Sequence, residues 1–146
     1  RTEPIIAGTG VLFAIAEVKS RAALAACVVD NELFSKLDSD YGYTEDFFSL
    51  LVFFEADDGI LHTRMFAPLG GISEDPATGS AATALGALLA ELNSVSEGQF
   101  DFSVHQGDDM GRPSRLYVTV RKSAGITDCP ILTGSCVSVI NGDFSI

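Results

Sequence analysis

Residues 73–92 read SEDPATGSAATALGALLAEL, and this stretch decides the fold. Two acids and a proline open it, a small-residue turn follows, and the rest is apolar at helical length. No charged residue occurs between Asp75 and Glu91. A surface helix keeps a polar face, whereas a helix that is apolar all round is buried. Ala81, Ala82, Ala84, Gly86, Ala87 and Ala90 keep it slim, so neighbouring elements can approach closely. It is shorter than the roughly 20 apolar residues that a bilayer span needs. The stretch therefore predicts a central helix wrapped by other elements of one domain.

The start of that helix is its chemically interesting end. Pro76 suits a first helical turn, where a missing N–H loses no intrahelical partner. Asp75, Thr78 or Ser80 can serve as the cap. Thr78, Gly79 and Ser80 offer backbone N–H groups and hydroxyls at the positive end of the helix dipole, with no side chain at Gly79 in the way. That composition suits a carboxylate or phosphate cradle. It is not a Walker loop, because Gly71 and Gly79 are too far apart and no Lys follows Gly79. An ordinary helix also begins with Asp-Pro and small residues, and residue types alone favour a plain cap. Two features favour a site. A buried helix has better helix formers available than Thr-Gly-Ser. Glu74 and Asp75 also set carboxylates beside the cradle, where they can move protons near a bound acid.

Outward from this stretch, strands dominate. Val11–Val18 is a largely buried strand, followed by a short helix over Ser20–Cys27 that Ser20 caps. Asp30 caps a second helical turn, Glu32–Leu37. Asp38–Asp46 reads as an acidic solvated loop; Gly42 and Ser49 do not fit a calcium loop. Ser49–Glu55 and Ile60–Phe66 form a hairpin across Asp57-Asp58-Gly59, with His62, Arg64 and Phe66 on one face. Ala67–Ile72 is a Pro/Gly loop, and Asn93–Gly98 is a polar one. Phe100–Gln106, Ser114–Lys122 and Ile131–Ile140 are strands, the first two joined by a turn over Gly107–Arg112. Asn141-Gly142 is a tight turn before a short last strand, Phe144–Ile146. Strands that outnumber one apolar helix predict an α+β fold: a rolled, mostly antiparallel sheet around that helix.

At 146 residues the chain is one domain with room for a real core. Its mean hydropathy of +0.28 excludes a disordered chain. The net charge of −11 argues against a nucleic-acid partner or an anionic membrane. Cys27, Cys129 and Cys136 are widely spaced with no CxxC, so neither a zinc site nor a disulfide framework is signalled, and each reads as a small buried apolar residue. No metal and no cofactor is expected. No signal peptide or membrane span is legible, which points to the cytoplasm. Arg1 has no preceding Met, so the chain is expected to be a piece of something longer. His62 and His105, far apart in sequence, read as half-exposed sheet residues. Arg64 precedes the helix entry and is placed to face a bound acid, a surface ion pair being the equal alternative. Gln106-Gly107 and Gly111-Arg112-Pro113-Ser114 read as turn chemistry.

Three blocks together resemble a known family. Arg64-Met-Phe-Ala-Pro68, the run Gly71–Ala81 containing EDPATGSA, and Gln106-Gly-x-x-Met-Gly-Arg-Pro-Ser114 look like the C-terminal half of the phenazine-biosynthesis PhzF-like isomerases, in order and in spacing. Gly10–Val18 and Gly134–Gly142 fit that half too. The resemblance implies a diaminopimelate-epimerase-like fold of two lobes, each a rolled sheet around a central helix, with both helix starts facing the substrate. It implies a cofactor-independent proton shift on a small carboxylic acid. Asp75 matches the acidic residue of the C-terminal lobe, and Gly79 and Ser80 match the residues contacting the substrate carboxylate. Thr78 and Arg64 complete the expected binding set, with Asp75 as the catalytic residue. The epimerase relatives use a cysteine pair. Here Asp75 takes that region and no cysteine stands at a helix start, so a two-thiol racemase is disfavoured. The family's proton-shuttling Glu belongs to the N-terminal lobe, and neither Glu17 nor Glu55 stands in a matching motif. The expected partners are that N-terminal lobe or a second copy of the chain. Alone, the chain is expected to have little or no turnover. The alternative is a non-catalytic module that binds a small anion or dimerises.

Overall fold

The computed structural model describes residues 3–41 and 47–145. The chain runs β1 (Ile5–Gly8), β2 (Leu12–Glu17), α1 (Arg21–Ala25), α2 (Asn31–Tyr41), β3 (Leu50–Glu55), β4 (Leu61–Ala67), β5 (Ile72–Asp75), α3 (Gly79–Leu92), β6 (Gly98–Gln106), β7 (Ser114–Ser123), β8 (Ile126–Thr127) and β9 (Ile131–Gly134). The strands form one curled sheet in the order β1-β2-β3-β4-β6-β7-β8, with β5 on β4 and β9 on β7. Among the described residues, only β2/β3 and β4/β6 pair in parallel. These are the two places where helices intervene, because parallel neighbours need a crossover that a tight turn cannot supply. The expected α+β roll around one apolar helix is the fold observed.

Alternation along the strands sorts the apolar residues onto two faces. Phe13, Ile15, Leu51, Phe53, Leu61, Met65, Val104, Leu116, Val118 and Val120 point inward onto Ala81, Ala82, Ala84, Leu85 and Ala90 of α3. Leu85 is fully buried, which is worth about 1.5–3 kcal/mol for such a side chain. The small residues let the sheet close in: a Cβ on Gly86 would lie 2.6 Å from Val118 Cγ1. At the other end of α3 the Lys122 ammonium, buried, donates to the carbonyl oxygens of Ala90, Glu91 and Asn93 at 3.2, 3.3 and 3.0 Å. A cation there complements the negative end of the dipole and satisfies the last carbonyls.

The outer face carries a second core, in which Ala14, Val52 and Phe66 meet Leu24 of α1 and Phe34 of α2. The expected caps are present: Ser20 Oγ accepts from Ala23 N–H at 3.0 Å, and Asp30 Oδ1 accepts from Leu33 N–H at 3.0 Å. The hairpin turn is also present, closed by Gly59 N–H donating to the Ala56 carbonyl at 2.9 Å.

Several boundaries differ from expectation. Helix α2 runs on through Tyr41, so Asp38–Tyr41 are helical and not loop. Asp38 Oδ1 anchors this end by accepting from Phe48 N–H at 2.7 Å. The remainder of the expected acidic loop, residues 42–46, lies outside the described residues. Strand β1 and the short β5 and β8 were not expected. The strand expected over Ile131–Ile140 ends at Gly134, because β7 begins at Ser114 and pairing runs out just past Gly134↔Leu116. Phe144 and Ser145 are not strand, and Ile146 lies outside the described residues. Cys129 and Cys136 are exposed and Cys27 only half-buried, against the expectation of buried thiols.

Candidate active site at the start of the central helix

Strand β5 folds back antiparallel onto β4, pairing Asp75 with Met65, and delivers Asp75 to the mouth of α3. A residue before proline disfavours the helical region, so the chain stays extended through Asp75 and the helix begins only at Gly79. Pro76 therefore precedes the helix by three residues instead of opening its first turn. Thr78 takes the N-cap position with extended backbone, yet its hydroxyl does not cap the helix. It donates to Asp75 Oδ2 at 2.7 Å and accepts from Gln106 Nε2 at 2.9 Å. Gln106 Nε2 also donates to the Asp75 carbonyl at 2.7 Å, and Gln106 Oε1 accepts from Thr78 N–H at 3.3 Å. Gln106 and Thr78 are both buried, so this network fixes the Asp75 carboxylate with little freedom.

Because Thr78 turns its hydroxyl to Asp75, it leaves the helix start open. The first intrahelical bond is Ala82 N–H to the Thr78 carbonyl at 3.0 Å. The N–H groups of Gly79, Ser80 and Ala81 come before it and have no carbonyl one turn back. These donors, at the positive end of α3, can accept an anion. An open cleft of about 590 Å³ lies beside them, lined by Ala77, Gly79, Arg115, Tyr117 and Leu132 among others. A Cβ on Gly79 would stand 2.6 Å from Leu132 Cδ2, so the glycine allows this close approach.

The structure thus brings together four of the five expected site residues, Asp75, Thr78, Gly79 and Ser80. Arg64 is placed elsewhere. Its register beside Val52 puts it on the outer face of the sheet. There Nε and Nη2 donate to the two Glu74 carboxylate oxygens at 2.8 and 2.7 Å. Nη1 donates to the carbonyls of Leu24, Ala25 and Cys27 at 3.1, 3.2 and 2.9 Å. The Glu74 hydrogen bonds raise the Arg64 pKa further above its ordinary value, burial opposing them. The guanidinium is a clamp between β5 and the end of α1, not a ligand for an acid at Gly79. The reason is periodicity: consecutive strand residues alternate faces, so Glu74 follows Arg64 outward while Asp75 turns in. Sequence reasoning placed Gln106 in turn chemistry and missed its role. Only its pairing beside Thr63 at the end of β6 reveals it.

An α+β sheet curled around an apolar helix, with a carboxylate held beside that helix's uncapped start, defines the class of protein. The profile of the family described as "Phenazine biosynthesis-like protein" matches residues 1–142, and the chain belongs to that family. Over 118 residues the chain is 35% identical to an uncharacterized isomerase of Clostridium acetobutylicum, covering 80% of this chain and 39% of that protein. Over 55 residues it is 47% identical to trans-2,3-dihydro-3-hydroxyanthranilate isomerase of Pseudomonas aeruginosa, covering 38% of this chain and 19% of that one. The fold matches the crystal structure of the Bacillus anthracis phenazine biosynthesis protein of the PhzF family, with a TM-score of 0.67 and 24% identity. That match covers 78% of this chain and 38% of the other. The chain therefore spans well under half the length of each of these relatives. No helix among the described residues is long and apolar enough to cross a membrane.

Proposed function

We propose that this chain is the C-terminal lobe of a PhzF-like isomerase that catalyses a cofactor-independent proton shift on a small carboxylic acid. The observation that carries the reading is the division of labour at the start of α3. Thr78 holds the Asp75 carboxylate and is itself held by Gln106, while the helix start at Gly79 and Ser80 has no side-chain cap beside it. In this reading those N–H groups bind the substrate carboxylate. Asp75 stands at the edge of the bound acid, where it positions and polarises the carbon–hydrogen unit that gives up its proton. The proton returns to another carbon of the same molecule, so no atom is gained or lost. The shuttling carboxylate belongs to the N-terminal lobe, and the chain alone supplies half of the site. A symmetric pair of copies would present two Asp75 sites and no shuttling partner. Arg64 is reassigned here from substrate binding to holding Glu74, and through it the β5 segment that carries Asp75.

The test uses the complete two-lobe enzyme and trans-2,3-dihydro-3-hydroxyanthranilate as the probe substrate, with solvent-deuterium incorporation as the readout. Asp75→Asn is expected to lower turnover by about 10²–10⁴-fold while leaving the thermal transition in place. Normal turnover by that variant would overturn the assignment of Asp75. The alternative, a non-catalytic module for a small anion or for dimerisation, predicts carboxylate-induced amide shifts at Gly79 and Ser80. It predicts no deuterium incorporation even when the N-terminal lobe is supplied.

A further inference from the structure

A second cluster of chemistry-bearing side chains lies on the other face of the sheet. His62 on β4 and His105 on β6 are direct neighbours in a parallel pair. Leu61, Thr63, Val104 and Gln106 around them are buried, so alternation puts both imidazoles outward. Their ring centroids are 5.5 Å apart at 81°. Asp108, in the turn after β6, brings Oδ2 to 3.9 Å from His62 Nδ1. One ligand atom from each of the three residues lies within 4.8 Å of the other two. His62 Nδ1 is buried and, among the described residues, has no hydrogen-bond partner. The chain has no other histidine.

We propose that His62, His105 and Asp108 form a binding site for a divalent late-transition-metal ion, with Zn²⁺ the reference case and water completing the coordination. Two imidazoles and a carboxylate are a donor set that suits such ions. The 3.9 Å separation of His62 Nδ1 from Asp108 Oδ2 is too long for a hydrogen bond. Two ligands at about 2.0–2.1 Å from one tetrahedral zinc ion stand roughly 3.4 Å apart, so this pair needs to close by only about 0.5 Å. The widest pair, within 4.8 Å, needs to close by up to about 1.4 Å through side-chain rotation when an ion binds. The Asp108 carboxylate is already oriented, because Arg115 Nη1 holds its other oxygen at 3.0 Å. Phe54 stacks on His62 at 6.5 Å and 23° and limits its tilt. Outer partners of this kind are what orient metal ligands. The competing arrangement is a plain imidazolium–carboxylate pair, which the 3.9 Å separation of His62 Nδ1 from Asp108 Oδ2 disfavours.

A bound ion would tie the turn of residues 107–112 to β4. That turn already abuts the segment after Asp75: a Cβ on Gly107 would lie 2.8 Å from the Pro76 carbonyl oxygen. The metal site stands independently of the isomerase reading.

The test is Zn²⁺ calorimetry on the untagged chain with Cys27, Cys129 and Cys136 replaced by Ser, which removes the thiols as competing ligands. One equivalent is expected, and both imidazoles should show a shifted ring nitrogen in ¹⁵N NMR. His62→Gln, His105→Gln and Asp108→Asn should each weaken binding by about tenfold or more. If the serine variant does not fold, Co²⁺ on the wild-type chain replaces it: visible d–d bands without thiolate charge transfer are the supporting result. No stoichiometric binding, a response at one ring or neither, a thiolate band, or unchanged affinity in Asp108→Asn would overturn the proposal.

Discussion

A single methyl group added at Gly86 tests the packing of the central helix against the sheet. In a helix interior, Ala is favoured over Gly by about 0.8–1.0 kcal/mol. Here the new Cβ would stand 2.6 Å from Val118 Cγ1 and 3.3 Å from Val118 Cβ, against a normal carbon contact of about 3.5–4.0 Å. Val118 is 1% exposed and β-branched, so its χ1 has nowhere to turn. Forcing a methylene into such a site costs about 1–3 kcal/mol. Gly86→Ala is therefore expected to destabilise the chain by about 1 kcal/mol net. A Val118→Ala background removes the 2.6 Å contact and leaves only the milder ones to the residue-118 Cβ at 3.3 Å and Phe102 Cδ2 at 3.4 Å, so the same methyl should stabilise by up to about 1 kcal/mol. The sign reversal implies a coupling of about 1–3 kcal/mol between the two positions. Urea denaturation of wild type, both single variants and the double variant measures it. Equal stabilisation by Gly86→Ala in both backgrounds would refute the close approach of α3 to β7.

Two further perturbations probe the ends of the same helix. Lys122→Met keeps the aliphatic stem and removes the ammonium that serves three carbonyls at the end of α3. It should cost about 1–3 kcal/mol, and a urea midpoint equal to wild type would show that the carbonyls do not depend on it. Thr78→Val preserves shape but removes the hydroxyl between Asp75 and Gln106. A loss of about 1–3 kcal/mol is expected, and a loss below about 0.5 kcal/mol, the ordinary scatter for a surface change, would show that the buried network is not formed.

Much of the site was legible because it is local in sequence. Asp75, Thr78, Gly79 and Ser80 fall within six residues, and one strand end followed by one helix start leaves them little choice of arrangement. Ser20 and Asp30 were legible as caps for the same reason: the hydrogen bond they make spans three residues. Arg64 was misplaced because its partners are up to forty residues away in α1, beyond any local pattern. The strand expected beyond Gly134 failed on a related point. The apolar residues Val137, Val139 and Ile140 have the right composition but are highly exposed, and a strand needs a partner edge as well as a propensity.

By itself, the sequence determined that one uncharged, slim helix must be buried and that the surrounding strands must wrap it. Hydrophobic periodicity and the absence of charge act through the local chain, and burial follows from them. It also determined the family, through motif blocks whose order and spacing are local properties. The tertiary structure alone decided that Glu74 turns away to Arg64, and that Gln106 supports the Asp75 segment from a different strand. It alone brought His62 and His105, 43 positions apart by numbering, into register on neighbouring strands. The physical reason is that strand pairing and facing are set by partners distant in sequence, and one residue of register exchanges the inside for the outside.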